Sequence, residues 1–259
     1  MALDKIPMRR VLIKKYERQI MLPIIGRKGQ EKILKAKILI VGLGGIGSPC
    51  ALYLAAAGVG NIGIVDSDVV GISDLHRQIL HSTKTIGMPK VFSAKQRLND
   101  LNKDVKVTTY KTRLTPENII GIIQDYDIVV DSSDNFSTRY LINDACVSSR
   151  KSFVHGSVFW SEGQVFTIVP GLSPCYRCLF PESPTKELFP IYNQRGVLNI
   201  IAGMVGIMQA NEVLKYILNV ENKLLGSLLF MNVLDYAFKQ VKIYKDPNCK
   251  ICGRIRSAL

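Results

Sequence analysis

Apolar residues along this chain come in two patterns: short unbroken runs, and longer stretches where they recur every three to four positions. Residues 38–41 and 128–130 are short runs and read as strands buried on both faces of a parallel sheet. Residues 61–65 form a third run, which ends on Asp66. Between the first and third, residues 46–57 carry apolar and small side chains and read as a helix stopped by Gly58. Helical spacing also appears at Leu12, Tyr16 and Ile20 up to a break at Pro23, and again over 30–35. It returns at Val91, Ala94, Leu98 and Leu101, with Pro89 expected in the first turn. Residues 105–110 alternate and read as a strand. Thr115, Pro116 and Glu117 start a helix over 118–124, and 139–147 read as another. Residues 152–159 and 164–169 read as antiparallel strands, 170–200 as a long crossing loop, and 201–218 as a buried helix. Strands over 224–230 and 236–244 follow. The expected fold class is α/β: a Rossmann-like doubly wound parallel sheet continued by an antiparallel C-terminal portion. One domain over 1–259 is expected, with a helical arm over 1–36, a nucleotide-binding half over 37–150 and a mixed-sheet half over 151–259.

Residues 37–68 concentrate the chemistry. The first strand runs into Gly42, Gly44, Gly45 and Gly47, and then into a helix. Glycines there let the backbone pass close to a phosphate, and the helix N-terminus offers free N–H groups and a positive dipole end. Asp66 follows about 20 residues on, where an acid at a strand end accepts from ribose hydroxyls. Tight strand–helix packing alone does not account for four glycines with a terminal acid. The pattern leaves NAD, FAD and ATP open. Asp131 and Asp134 follow the strand at 128–130 and fall at the same crevice, since ligands sit at the carboxyl ends of such strands. Arg77 and Lys90 lie between these acids in the chain. Isolated loop cations are usually solvated, but cations so placed favour a triphosphate. Asp134 then suits Mg²⁺, which takes a carboxylate together with phosphate oxygens, and Asp131 suits a role in fixing the loop.

Composition narrows the setting. The 259 residues are 47% hydrophobic, enough for a sizeable core, and no apolar run is long enough to span a bilayer. The N-terminus is polar and charged, so a cytoplasmic protein with no secretory signal and no membrane partner is expected. The formal net charge of +13 suits nucleic acid, an acidic protein, or a low-GC genome rich in lysine. No dense basic run with interleaved aromatics appears, so a dedicated nucleic-acid binder is not expected, and a basic face for an acidic protein partner is at least as good a reading. Four of the six cysteines form two pairs, Cys175/Cys178 and Cys249/Cys252. In an intracellular chain that spacing argues for metal. Four thiolates match a closed tetrahedral zinc site, which would pin the tail to the crossing loop as a structural metal. A redox CxxC is the competing reading, but neither pair is expected to open a helix after a strand. Cys50 and Cys146 fall in predicted helices and read as core.

Taken together, YERQI at 16–20, VGLGGIGSP at 41–49, AAAGVGNIGIVDSDVV at 55–70, SDLHRQIL at 73–80 and GMPK at 87–90 resemble the ThiF/MoeB (HesA) group of ubiquitin-activating-like adenylyltransferases. DSSDNFSTRYLINDAC at 131–146, GQVFTIVPG at 163–171, CYRCLFP at 175–181, GVLNIIAGMVGIMQANEVLK at 196–215 and CKIC at 249–252 extend the likeness over nearly the whole length. The resemblance implies ATP at Gly42, Gly44 and Gly45, with Asp66 on the ribose and Asp74, Gln78 and Asn135 in the same pocket. It implies Arg77 and Lys90 on the phosphates, Asp134 on Mg²⁺, and Arg18 reaching the triphosphate of a neighbouring subunit in a homodimer. It makes Cys175, Cys178, Cys249 and Cys252 structural Zn²⁺ ligands. The implied reaction is adenylation of the C-terminal glycine of a small ubiquitin-like sulfur carrier ending in Gly-Gly, which residues 151–259 would bind. A sulfurtransferase or cysteine desulfurase would act afterwards, for molybdopterin or thiamin-thiazole synthesis, the pattern standing nearest to molybdopterin-synthase adenylyltransferases.

The chain departs from that pattern in three places. Asp74 stands where the family usually has asparagine, adding negative charge beside a triphosphate unless a cation offsets it. Gly71 replaces a frequent acid. The run 191–195 lacks the cysteine that many members carry, so no covalent thioester relay is expected, and no fused rhodanese domain is expected after CKIC. Competing readings are adenylation of a peptide C-terminus or a tRNA-linked carboxylate, a non-catalytic subunit of a heterodimeric activating enzyme, and an NAD oxidoreductase. Retention of Arg18, Arg77, Lys90 and Asp134 argues against a dead site. No general acid is placed for hydride chemistry; His76, His81 and His155 read as loop or core residues.

Overall fold

Strands β1 (Lys37–Val41), β2 (Asn61–Val65), β3 (Lys106–Tyr110), β4 (Ile128–Asp131), β5 (Ser152–Phe159), β6 (Glu162–Ile168), β7 (Ser227–Asn232) and β8 (Ala237–Lys242) form one sheet in the order 3-2-1-4-5-6-7-8. The structure is a computed structural model that describes residues 10–183, 196–221 and 224–253. The pairs from β3 to β5 are parallel and those from β5 to β8 antiparallel. This is the expected class. From β1 the chain builds outward through β2 and β3, then crosses back to β4 on the other side of β1. The strand order therefore reverses between β1 and β4, which opens a crevice at their carboxyl ends.

Strand periodicity sends alternate residues to opposite faces. In β1, Ile38 and Ile40 join a core with α3 (Gly26–Lys35), α4 (Gly47–Ala57), α5 (Lys90–Leu101) and a long helix over Asn199–Leu218. Leu39 and Val41 join a second core with helices over Ile119–Ile123 and Phe136–Ser148. We label these three α6 (Ile119–Ile123), α7 (Phe136–Ser148) and α9 (Asn199–Leu218), with α8 (Tyr176–Leu179) between the last two. Among the described residues no helix is long and apolar enough to cross a membrane.

Several elements differ from the sequence expectation for local reasons. α7 starts at Phe136, earlier than expected, because the Asn135 Oδ1 caps it by accepting from the Thr138 N–H at 2.9 Å. Pro89 is the extended N-cap of α5, not part of its first turn, so Lys90 is the first helical residue. The stretch expected as a loop holds α8, whose N-cap is Cys175. The first cysteine pair thus does open a short helix, contrary to expectation. β7 and β8 are both shorter than predicted.

α9 carries two buried polar residues, Gln209 and Glu212. Glu212 accepts from the Thr167 hydroxyl at 2.9 Å and pairs with Lys215 at 2.6 Å. Gly206 lets α9 press on the start of α4: a Cβ there would lie 2.1 Å from the Ile46 carbonyl oxygen. The N-terminal arm, α1 (Arg10–Lys15) and α2 (Glu17–Ile20), packs at the other end of these helices. Gln19 donates to the Ala57 carbonyl at the last residue of α4, and Asn102, just past α5, donates to the Tyr16 hydroxyl at 2.9 Å.

Candidate active site

The crevice floor is the turn from β1 into α4. Gly42 has φ +89°, and a Cβ there would sit 2.7 Å from the Ser132 carbonyl oxygen, so the two strand ends meet backbone to backbone. Leu43 turns its side chain into the core, and its N–H donates to Asp66 Oδ2 at 2.8 Å. The backbone N–H groups of Gly44, Gly45, Ile46 and Gly47 find no acceptor among the described residues. Four free donors at the head of an 11-residue helix make an anion cradle.

Asp66 also accepts from the Asp68 N–H at 2.8 Å. Burial pushes its carboxyl above the usual range, against those two hydrogen bonds and the pull of Lys90. Around it the charges interlock. Asp74 Oδ2 accepts from the Gly71 N–H at 3.0 Å and lies 3.7 Å from Lys90 Nζ. Its Oδ1 accepts from Gln78 Nε2 at 2.8 Å and lies 3.6 Å from the Arg77 guanidinium. Lys90, itself buried, also pairs with Asp68 at 3.3 Å. The condition attached to Asp74 is therefore met: two cations flank it. The stem of Arg77 lies over Gly45, where a Cβ would come within 3.3 Å of Arg77 Cγ. Gln78 is buried, and its Oε1 has no partner among the described residues.

At the end of β4, Asp131 is fully buried and Asp134 exposed. Asp131 accepts from the Ser133 hydroxyl at 2.6 Å and from His155 Nδ1 at 2.7 Å. Burial alone would raise Asp131, but the bonds from His155 and Ser133 outweigh it and hold its carboxyl below the usual range. Burial holds His155 low, so the pair is a carboxylate and a neutral imidazole. Asp131 thus fixes the turn, while Asp134 faces solvent beside Asn135, whose Nδ2 reaches it at 3.2 Å.

The structure gathers Gly42, Gly44, Gly45, Asp66, Asp74, Arg77, Gln78 and Lys90 at one crevice, with Asp134 and Asn135 after the adjoining strand β4. It does not bring Arg18 there. Arg18 is exposed on α2, beside the far end of α4, about 16 Å of helix from the glycine turn. The run 191–195 lies outside the described residues.

Two contributors escaped the sequence reading. Gln209 Nε2 donates to the Asp131 carbonyl at 2.7 Å, while its Oε1 accepts from the Ser132 hydroxyl at 2.8 Å. His81 sits behind the glycine turn, with Nε2 3.1 Å from the Leu43 carbonyl and Nδ1 2.9 Å from the Ser93 hydroxyl. Burial, aided by Lys90, holds His81 below its ordinary value despite the Leu43 bond. An amide within a helix that reads as buried was the available signal for Gln209; His81 had none.

The four cysteine sulfurs converge away from the crevice, all within 4.8 Å of one another. Their contacts include 3.6 Å between Cys175 and Cys249 and 3.3 Å between Cys178 and Cys252. A tetrahedral zinc with bonds of about 2.3 Å sets sulfurs about 3.8 Å apart, so the donor set fits that ion. A hydrogen bond from Cys175 and another from the Asp246 N–H hold the Cys178 thiol low, while the bond to Cys178 and burial push the Cys175 thiol up. Cys50 and Cys146 are fully buried, and burial pushes both thiols up.

A doubly wound sheet with a donor-rich glycine turn at its switch point, faced by paired cations, defines a Rossmann-like nucleotide-binding protein. The chain belongs to the ThiF family, whose profile matches residues 16–251. It is 43% identical over 244 residues to a sulfur carrier protein adenylyltransferase of Thermus thermophilus, covering 92% of this chain and 90% of that one. It is 46% identical over 242 residues to adenylyltransferase and sulfurtransferase MOCS3 of Anopheles gambiae, covering 93% of this chain but 55% of that relative's length. The fold matches E. coli MccB, solved with MccA-N7isoASN, with a TM-score of 0.81 at 22% identity, over 93% of this chain and 75% of that one.

Proposed function

We propose that this chain adenylates the C-terminal glycine of a small ubiquitin-like sulfur carrier, using ATP. The observation that carries the reading is the cradle of four free N–H groups faced by Arg77 and Lys90, in a chain 43% identical to a sulfur carrier protein adenylyltransferase. In this account Gly42, Gly44 and Gly45 line the phosphates, Asp66 takes the ribose hydroxyls, and Arg77 and Lys90 bind the phosphates. Asp74, Gln78 and Asn135 complete the pocket. A carboxylate oxygen of the carrier attacks the α-phosphorus, a P–O bond to the β-phosphate breaks, and pyrophosphate leaves. The nucleophile is already an anion, so no general base is required. The chain's work is to hold the two reactants in line and to stabilise charge on the departing phosphates.

Charge count supports two further components. Asp66, Asp68, Asp74 and Asp134 outnumber Arg77 and Lys90, so a triphosphate needs additional positive charge. Asp134 is exposed and suits Mg²⁺, which would neutralise phosphate oxygens. Arg18 would take the other role from a second copy of the chain in a homodimer, since its own crevice lies at the opposite end of α4. The four cysteines would hold a structural Zn²⁺ with no open position. Residues 37–150 serve the nucleotide and 151–259 the carrier. The adenylate would pass to a sulfurtransferase or cysteine desulfurase.

ATP–pyrophosphate exchange tests the acceptor. Exchange that needs a carrier ending in Gly-Gly supports the reading. Exchange supported only by a short peptide or a tRNA moves the activity to another carboxylate, and none with any acceptor leaves a non-catalytic subunit.

A further inference from the structure

We propose that His81 is a positioning residue for the nucleotide, setting the Leu43–Gly44 peptide so that the Gly44 N–H points into the crevice. The inference rests on the nucleotide reading of that crevice. The Leu43 carbonyl accepts only, so the His81 nitrogen 3.1 Å away, Nε2, carries the proton, and Nδ1 lies 2.9 Å from the Ser93 hydroxyl, which also meets the Thr85 hydroxyl at 2.9 Å. The chain has no cis peptide among the described residues. In a trans peptide the carbonyl and the following N–H point in opposite directions. Holding the Leu43 carbonyl toward the buried imidazole therefore turns the Gly44 N–H outward, where it finds no acceptor among the described residues.

The plane has little else to hold it. The Ser48 hydroxyl reaches the same carbonyl only at 3.4 Å, and Gly44 has no Cβ to resist rotation. The Ser93 bond adds a second alignment: Ser93 lies on α5 within a turn of Lys90, so one imidazole ties the glycine turn to the helix that carries a phosphate-facing cation. Both ring nitrogens are engaged and the residue is buried, which leaves His81 no part as an acid or base on substrate.

Three variants separate this role from general packing. His81→Gln restores an amide N–H where Nε2 stands; His81→Asn restores one only where Nδ1 stands; His81→Leu restores neither. ATP affinity is measured on each without any carrier, and KM and kcat by pyrophosphate exchange with it. The expectation is an affinity and KM loss of about tenfold or more for His81→Leu and His81→Asn, with kcat within about threefold and His81→Gln near wild type, the signature of lost uniform binding. Wild-type affinity in all three, or equal loss in His81→Gln and His81→Asn, overturns the proposal. Should His81→Leu fail to fold, the Gln and Asn pair decides alone. A wild-type protein that binds no ATP overturns the nucleotide reading and this proposal together. Wild-type ATP binding without carrier-dependent exchange overturns only the choice of acceptor.

Discussion

Replacing Gln209 by leucine removes the clamp between α9 and the end of β4 at nearly constant volume. Gln209 is fully buried and makes three side-chain hydrogen bonds, to the Asp131 carbonyl at 2.7 Å, the Val154 carbonyl at 3.3 Å and the Ser132 hydroxyl at 2.8 Å. The Val154 contact is long and its carbonyl lies within β5, so its loss counts for little. The other two groups are left buried without that partner, at about 1–3 kcal/mol each. Burying leucine in place of an amide offsets part of this. The expected net loss is about 1–4 kcal/mol, a fall in Tm of about 3–12 °C for a chain of this size. Thermal and urea unfolding measure it. Because Ser132 abuts Gly42, the same variant should also weaken ATP binding. A Tm unchanged within a degree would refute the claim that this amide holds the crevice wall in place.

Three other outcomes follow. Burial lowers the pKa of both His81 and His155, so below the unfolded value of about 6.5 the unfolded chain takes up protons that the folded chain refuses. Stability should therefore fall as pH drops from 7 toward 5; denaturant midpoints that hold level or rise over that range contradict the assignment. Asp131, held low, contributes its loss only at more acid pH. Cys249→Ser should release metal and lower Tm, and a variant that keeps one tightly bound zinc per chain would rule out the four-thiolate site. Arg18→Ala and Asp134→Asn should each be inactive, yet mixing the two should restore roughly one quarter of wild-type exchange, since half the dimers then hold one intact pocket. No recovery on mixing would sink the shared pocket.

The parallel core was legible because each signal was local. The boundaries of β2 follow from one apolar run, and Gly58 ends α4 in the left-handed conformation expected of a C′ glycine. Asp131 as a loop-fixing residue was also readable, from a strand ending in acid. What the sequence hid depends on contacts between distant segments. Asp74 looked like a liability in isolation, and only the fold shows Arg77 and Lys90 on either side of it. Gln209 lies 78 residues from the carbonyl it serves, and His81 38 residues from Leu43. Arg18 was expected to reach a neighbouring subunit's triphosphate, and the fold keeps it far from its own crevice, at the opposite end of α4. α7 begins at Phe136, three residues before the expected start at 139, because the Asn135 side chain caps it there.

Adenylate transfer itself can be read directly. Incubating the protein with ATP labelled in the α-phosphate, Mg²⁺ and a Gly-Gly-ending carrier, then resolving the carrier by intact mass, shows whether an AMP has joined its C-terminus. The account predicts a carrier heavier by one AMP, labelled, and absent when the last glycine is deleted or Lys90 is changed to methionine. A carrier of unchanged mass, with ATP bound and no pyrophosphate released, would contradict it.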